Sequence, residues 1–213
     1  MKKTTYLFLS LILLISSCTK PAEKEIGFGS YDGDRYTNDY FGLAIDFPSG
    51  WSKQSQDGLN EIKESGEAIL AGEDKNLKAA IRAAELQTVN LFAVFKYLPG
   101  SPVDSNPSIM CVAERIKNQP GITKGGDYLF HVRKLLSSTQ ISYEFPREIY
   151  STSISGKEFE VLEAELKLGS VRVKQHYYAI KLKDYALGII LSYISDSEKE
   201  ELDKVLNTLT FSE

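Results

Sequence analysis

This 213-residue sequence is poor in the residues that most often build a reactive centre or a covalent brace, with two cysteines, two histidines, two methionines and one tryptophan. Cys18 and Cys111 cannot form the disulfide framework of a small secreted scaffold, so stability has to come from a packed core. His131 and His176 belong to no H-x-x-x-H or H-x-x-E pattern and no cysteine pair accompanies them, so neither a metal nor a cofactor is expected. There is no G-x-S-x-G elbow to present a nucleophile. Gly27-Phe28-Gly29 has no strand before it and no helix after it, which rules it out as a phosphate loop. Lysine and arginine number 25 against 29 acidic residues, a net charge of −4. Nucleic-acid binding wants a basic stripe, and that partner is excluded. Long apolar runs are also missing. Tyr6 to Ile15 is about ten residues, half of the roughly 20 that a membrane-spanning helix needs.

What is present near the start is an address. Met1-Lys2-Lys3 is a basic head, Tyr6 to Ile15 a short apolar stretch, and Ser16-Ser17 a pair of small residues, which together describe an export signal. Ile15-Ser16-Ser17-Cys18 resembles a bacterial lipobox. The resemblance implies that residues 1–17 are a lipoprotein signal peptide cleaved before Cys18. It also implies that the Cys18 sulfur carries a lipid, and that the freed amine accepts a further palmitate-like acyl chain. Each buried methylene contributes about 0.8 kcal/mol, so one chain binds a membrane marginally while several hold it durably. The expected location is the extracytoplasmic side of a bacterial membrane, inner or outer. Loss of Lys2 and Lys3 moves the charge from −4 to −6, which disfavours electrostatic docking on anionic lipid. Residues 18–35 read as the lipidated cysteine and a flexible, polar linker reaching about 20 Å. Residues 36–213 read as the folded domain.

Within that domain, Leu43, Ile45 and Phe47 alternate with Ala44 and Asp46 as in a half-buried strand. Phe47-Pro48-Ser49-Gly50 fits a type I turn, with Trp51 as a core anchor behind it. Leu59, Ile62, Ile69 and Leu70 fall on one helical stripe, and Leu77, Ile81 and Ala84 on another, with a break expected near Gly72. Strands are expected over 89–97 and 109–116, the second burying Cys111, and a helix over 127–137. "EFEVLEAELKLGSVRVKQHYYAI" predicts a hairpin about Gly169-Ser170, pairing Leu166 with Val173, Leu162 with Tyr177 and Glu163 with His176. Tyr185 to Ile194 is apolar on both faces and belongs inside a sheet covered on each side. Ser195 with Glu198, or Ser197 with Glu200, has capping-box spacing ahead of a last helix. The pattern predicts an α+β fold, an α/β/α sandwich with a largely antiparallel central sheet.

"YTNDYFGLAIDFPSGW" near the start and "QHYYAIKLKDYALGIILSYISDSEKEELDKVLNTLTF" at the end resemble the opening and closing signatures of PsbP-like proteins. The likeness runs from about Tyr36 to Phe211, and only its two ends are distinctive. It implies an α/β/α domain that acts by binding and brings no catalytic motif. The expected function is that of a lipid-anchored binding or interaction domain in the bacterial envelope, not an enzyme. Its expected partners are the membrane, through acyl chains on Cys18, and an envelope protein or small ligand. Two other readings stay open. One is an envelope hydrolase using a His–acid pair, His176 with Glu163; the other is a carrier of a small apolar ligand. Glu158, Glu160, Glu163 and Glu165 read as a solvated sheet face, and His131 as a solvated helix residue. The proline-rich loop 98–108 and the glycine-rich loop 117–127 are candidates for contact with a partner.

Overall fold

The computed structural model describes residues 26–212; Cys18 and the start of the expected linker lie outside the described residues. Structure begins earlier than the sequence suggests. Ser30–Asp32 (β1) and Arg35–Asn38 (β2) form an antiparallel pair within the stretch read as linker. The backbone ahead of them is held as well: buried Asn38 donates to the Gly27 carbonyl at 2.8 Å, and the Tyr36 hydroxyl donates to the Phe28 carbonyl at 2.7 Å. Gly29 has φ 74°, and a Cβ there would collide with the Thr37 carbonyl. Its glycine serves a close approach, which composition alone reads as looseness.

β1 and β2 continue through Leu43–Asp46 (β3) to Thr210–Phe211 (β12), a small four-stranded sheet that the sequence pattern does not reveal. The turn after β3 is displaced by one residue from expectation. The Trp51 amide donates to the Pro48 carbonyl at 3.3 Å, and Gly50 is third in the turn with φ 84°, the backbone that a type II turn requires there. Trp51 is half-buried against the core's edge.

The second sheet is the body of the protein. It comprises Ser52–Lys53 (β4), Thr88–Phe95 (β5), Ser108–Arg115 (β6), Tyr143–Glu144 (β7), Tyr150–Ile154 (β8), Lys157–Leu168 (β9), Val171–Leu182 (β10) and Tyr185–Tyr193 (β11). Its order is β4-β5-β6-β11-β10-β9-β7, with β8 also on β9, and every pairing is antiparallel. The β9–β10 hairpin has the expected register, with Leu166 opposite Val173, Leu162 opposite Tyr177 and Glu163 opposite His176. β11 sits between β6 and β10, where its apolar side chains can be covered on both sides.

The two faces are covered differently. On one, Phe92, Ile109, Cys111, Leu187 and Leu191 pack against Tyr36, Leu43 and Ile45 of the small sheet. Phe92 meets Tyr36 edge-on, with ring centres 4.9 Å apart. Asp196–Leu206 (α4) closes the same face with Leu202, Val205 and Leu206, and Ser195 and Glu198 form the capping box at its start. On the other face lie Gln56–Ala71 (α1), Lys75–Glu85 (α2) and Gly125–Ser137 (α3). α1 ends at Gly72, φ 51°, as its sequence suggests.

α3 comes closest to the sheet. Leu129 packs on Leu162 and Ala179, and Gly125 lies so near β10 that a Cβ would strike the Ala179 carbonyl and approach the Glu160 carboxylate. A Cβ on neighbouring Gly126 would rest at ordinary contact distance, 3.4 Å from Glu160 Cγ. Thermal melts should therefore separate these two glycines. Gly125→Ala is expected to lose about 1–3 kcal/mol, as overpacking does, and Gly126→Ala to stay near the parent.

Candidate functional site

The hydrolase reading rests on His176 and Glu163. His176 is buried on the α4 side of the sheet and Glu163 is its register partner on β9. The two are not hydrogen-bonded. His176 Nε2 is 2.8 Å from the Tyr193 hydroxyl, and Nδ1 has no partner among the described residues. Glu163 instead accepts from the Tyr150 hydroxyl at 2.8 Å and faces Arg147 at 3.7 Å. The expected cross-strand contact is thus replaced by two separate pairs, and the carboxylate that would orient a general base is engaged elsewhere. Burial holds the His176 pKa below its ordinary value; Glu163 and Asp203 oppose that shift, while Lys199 and Lys174 add to it. Burial and the bond to Glu163 push the Tyr150 hydroxyl up to about 12. His131 is exposed on α3. Cys111 is fully buried, and burial pushes its thiol well above the ordinary range. A thiol so placed packs as a small hydrophobe.

The four glutamates of β9 do not share a solvated face. Glu158 and Glu160 lie on one side of the strand, Glu163 and Glu165 on the other, because side chains alternate. Glu160 is only 5% exposed, beside Lys124 at 3.9 Å and the start of α3. Among the described residues no three His, Cys, Asp or Glu side chains gather to hold a metal ion.

The two candidate loops are both internally braced. In 98–108, Asn106 closes the base by accepting from the Tyr97 amide and donating to its carbonyl, each at 2.9 Å, which leaves Leu98 and Val103 exposed at the tip. In 117–127, Asp127 accepts from the Thr123 amide and hydroxyl and from the Lys124 amide, capping α3. Those bonds hold the Asp127 carboxyl below the usual carboxylate range. Gly125, near its end, serves helix–sheet packing.

A different feature stands out, which the sequence reading passed over. Between α1 and the sheet is a cavity of about 390 Å³. Its floor is Met110, Ile190, Gln175, Tyr177 and Ser192; its roof is α1, through Ile62, Gly66 and Leu70; Leu136, Ile141 and Leu166 close one side. It exists because α3 covers β9, β10 and β11 near Ala186 and Gly188 while α1 and α2 lean on β5, leaving Met110, Ile190 and Ser192 without close cover. Gly66 sits mid-helix where a Cβ would meet nothing within 4 Å, so the roof is hollow there. The floor is polar in one line. Tyr177 donates to Gln175 Oε1 at 2.7 Å, and Gln175 Nε2 donates to Ser192 Oγ at 3.2 Å. Two signals were available in sequence: a glycine inside an amphipathic helix, and Gln175 and Ser192 on strand faces otherwise apolar. Neither identifies a cavity without the packing.

The sequence matches no protein-family model and no curated protein. Solved structures do resemble it. A cyanobacterial PsbP (CyanoP) from Synechocystis sp. PCC 6803 superposes with a TM-score of 0.50 at 15% identity, over 86% of this chain and 98% of that one. A Bacteroides thetaiotaomicron protein gives 0.43 at 10% identity over 81% of this chain, which spans only 46% of its length. LpqN, described as involved in cell envelope biogenesis of Mycobacterium tuberculosis, gives 0.41 at 9% identity, over 80% of this chain and 83% of that one. The fold is PsbP-like, as the two ends of the sequence suggest.

The buried imidazole gives this site a pH signature. An unfolded chain takes up a proton near the ordinary value of 6.5, whereas the folded chain takes it up only at lower pH. The unfolded state then binds more protons as pH falls, so stability is lost from about pH 6.5 downward. Melting temperature should fall between about pH 7.5 and about pH 5.5, and His176→Gln should shrink that fall.

Proposed function

We propose that this chain is a lipid-anchored binding domain on the extracytoplasmic side of a bacterial membrane, acting by holding a ligand and not by catalysis. The observation that carries this reading is the cavity beneath α1. Its size lies within the roughly 300–1,000 Å³ of small-molecule sites, and its apolar walls surround a few neutral polar groups, the composition such sites share. The carrier reading, secondary on sequence grounds, thereby becomes the specific form of the binding reading. The His–acid hydrolase has no comparable support, because Glu163 is bonded to Tyr150 and His176 to Tyr193.

The anchor itself is supported by the sequence pattern ending in Ile15-Ser16-Ser17-Cys18. No helix among the described residues is long and apolar enough to cross a membrane.

Two measurements test the reading. Cys18→Ser should abolish acylation by mass analysis and move the protein out of the membrane fraction; unchanged fractionation would count against the anchor. Native mass spectrometry of protein purified from its own host should show a bound small molecule alongside the empty form. Complete absence of cargo, with the fold retained, speaks against a carrier.

A further inference from the structure

We infer that the cavity beneath α1 takes an uncharged, elongated amphiphile, with its apolar body against Met110 and Ile190 and a hydrogen-bonding end on the polar floor. This rests on the binding reading above and adds the chemistry of the ligand.

Charge comes first. Lys63, Glu67 and Glu85 are the charged residues that reach the cavity, and each is already paired across the two roof helices. Lys63 meets Glu85 at 3.3 Å, and Glu67 takes both Nε and Nη2 of Arg82 at 2.9 Å. An ionic ligand would enter a space whose charges are mutually satisfied, losing hydration with no counter-ion to replace it. A neutral ligand meets no such cost.

The polar floor then sets what the ligand's end must be. Ser192 Oγ accepts from Gln175, which leaves its own proton available. Asn90 also lines the cavity, and among the described residues its amide has no hydrogen bond, so it offers both a donor and an acceptor. These groups lie at opposite ends of the floor. Asn90 is level with Val112 and Gly188 across the ladder, and Ser192 is four residues further along β11, about 13 Å at the usual strand rise. A hydroxyl, carbonyl or ester at one end of a chain-like body suits either end. Finally, Ile69 is 58% exposed on α1, an apolar surface beside the cavity along which the rest of a long ligand can extend.

The test is a titration of the full chain carrying Cys18→Ser, prepared without detergent, with three probes of equal length: 1-decanol, decanoate and decyltrimethylammonium. Calorimetry should show 1-decanol binding, with decanoate and decyltrimethylammonium each at least tenfold weaker. Gly66→Phe places a ring into the hollow roof at a helical position that disfavours glycine anyway. It should weaken 1-decanol at least tenfold while the melting temperature holds or rises. Ile190→Phe fills the same space from the floor and should reproduce the loss should the helix variant misfold.

Equal binding of all three probes overturns the inference. So does undiminished 1-decanol binding in a folded cavity-filled variant, or no 1-decanol binding by the parent up to its solubility. The titration involves no acyl anchor and the search for native cargo involves no decanol. A charged native cargo would therefore sink the ligand class alone, whereas absence of both cargo and probe binding would sink the binding reading with it.

Discussion

Strand β11 is apolar on both faces and lies at the centre of a seven-strand ladder, so the sheet is stable only if both of its faces are kept from water. Burying a leucine or isoleucine side chain contributes about 1.5–3 kcal/mol, and the β11 residues alone therefore represent a large share of a domain's net stability. On one face that demand is met by close packing, as the small sheet and α4 lay Tyr36, Leu43, Ile45 and Leu202 directly onto Phe92, Ile109, Leu187 and Leu191. On the other face the strands carry smaller side chains, Ala179, Ala186 and Gly188, and three helices share the cover. α3 exploits those small side chains through Gly125 and comes into contact. α1, bearing Gly66 where a larger side chain would reach the sheet, leaves a gap. The cavity is thus a consequence of how the second face is covered, and its walls are apolar because they belong to a sheet built to be buried.

The buried polar groups follow the same constraint. A charge taken from water needs a partner or must neutralise. Glu160 sits against Lys124 and the start of α3; Glu163 is held by Tyr150 and Arg147; His176, with one nitrogen on Tyr193, is kept neutral by burial. None of these is left poised for proton transfer by an orienting acid. Ser192 and Asn90, both neutral, line the cavity.

The entry of the chain is fitted to this plan. Ile26 joins the cluster on the small-sheet side, and Gly27 and Phe28 are hydrogen-bonded to β2. The described chain therefore begins on the face of the large sheet opposite the cavity.

Local rules made much of this legible in advance. The β9–β10 register followed from alternation and a two-residue turn, the α4 capping box from Ser195 and Glu198, the end of α1 from Gly72, and the central place of β11 from its two apolar faces. Each of these depends on residues close in sequence or on burial alone. The lipobox-like pattern ending in Cys18 is likewise linear and needs no fold to be read, and it lies outside the described residues. Tertiary structure alone decided the rest. It set β1, β2, β3 and β12 apart as a second sheet, turned Glu160 inward, gave His176 a tyrosine partner in place of Glu163, and left the space beneath α1. These outcomes depend on which distant surfaces meet and how closely, and that is fixed by side-chain volumes across the whole core, which no local spacing encodes.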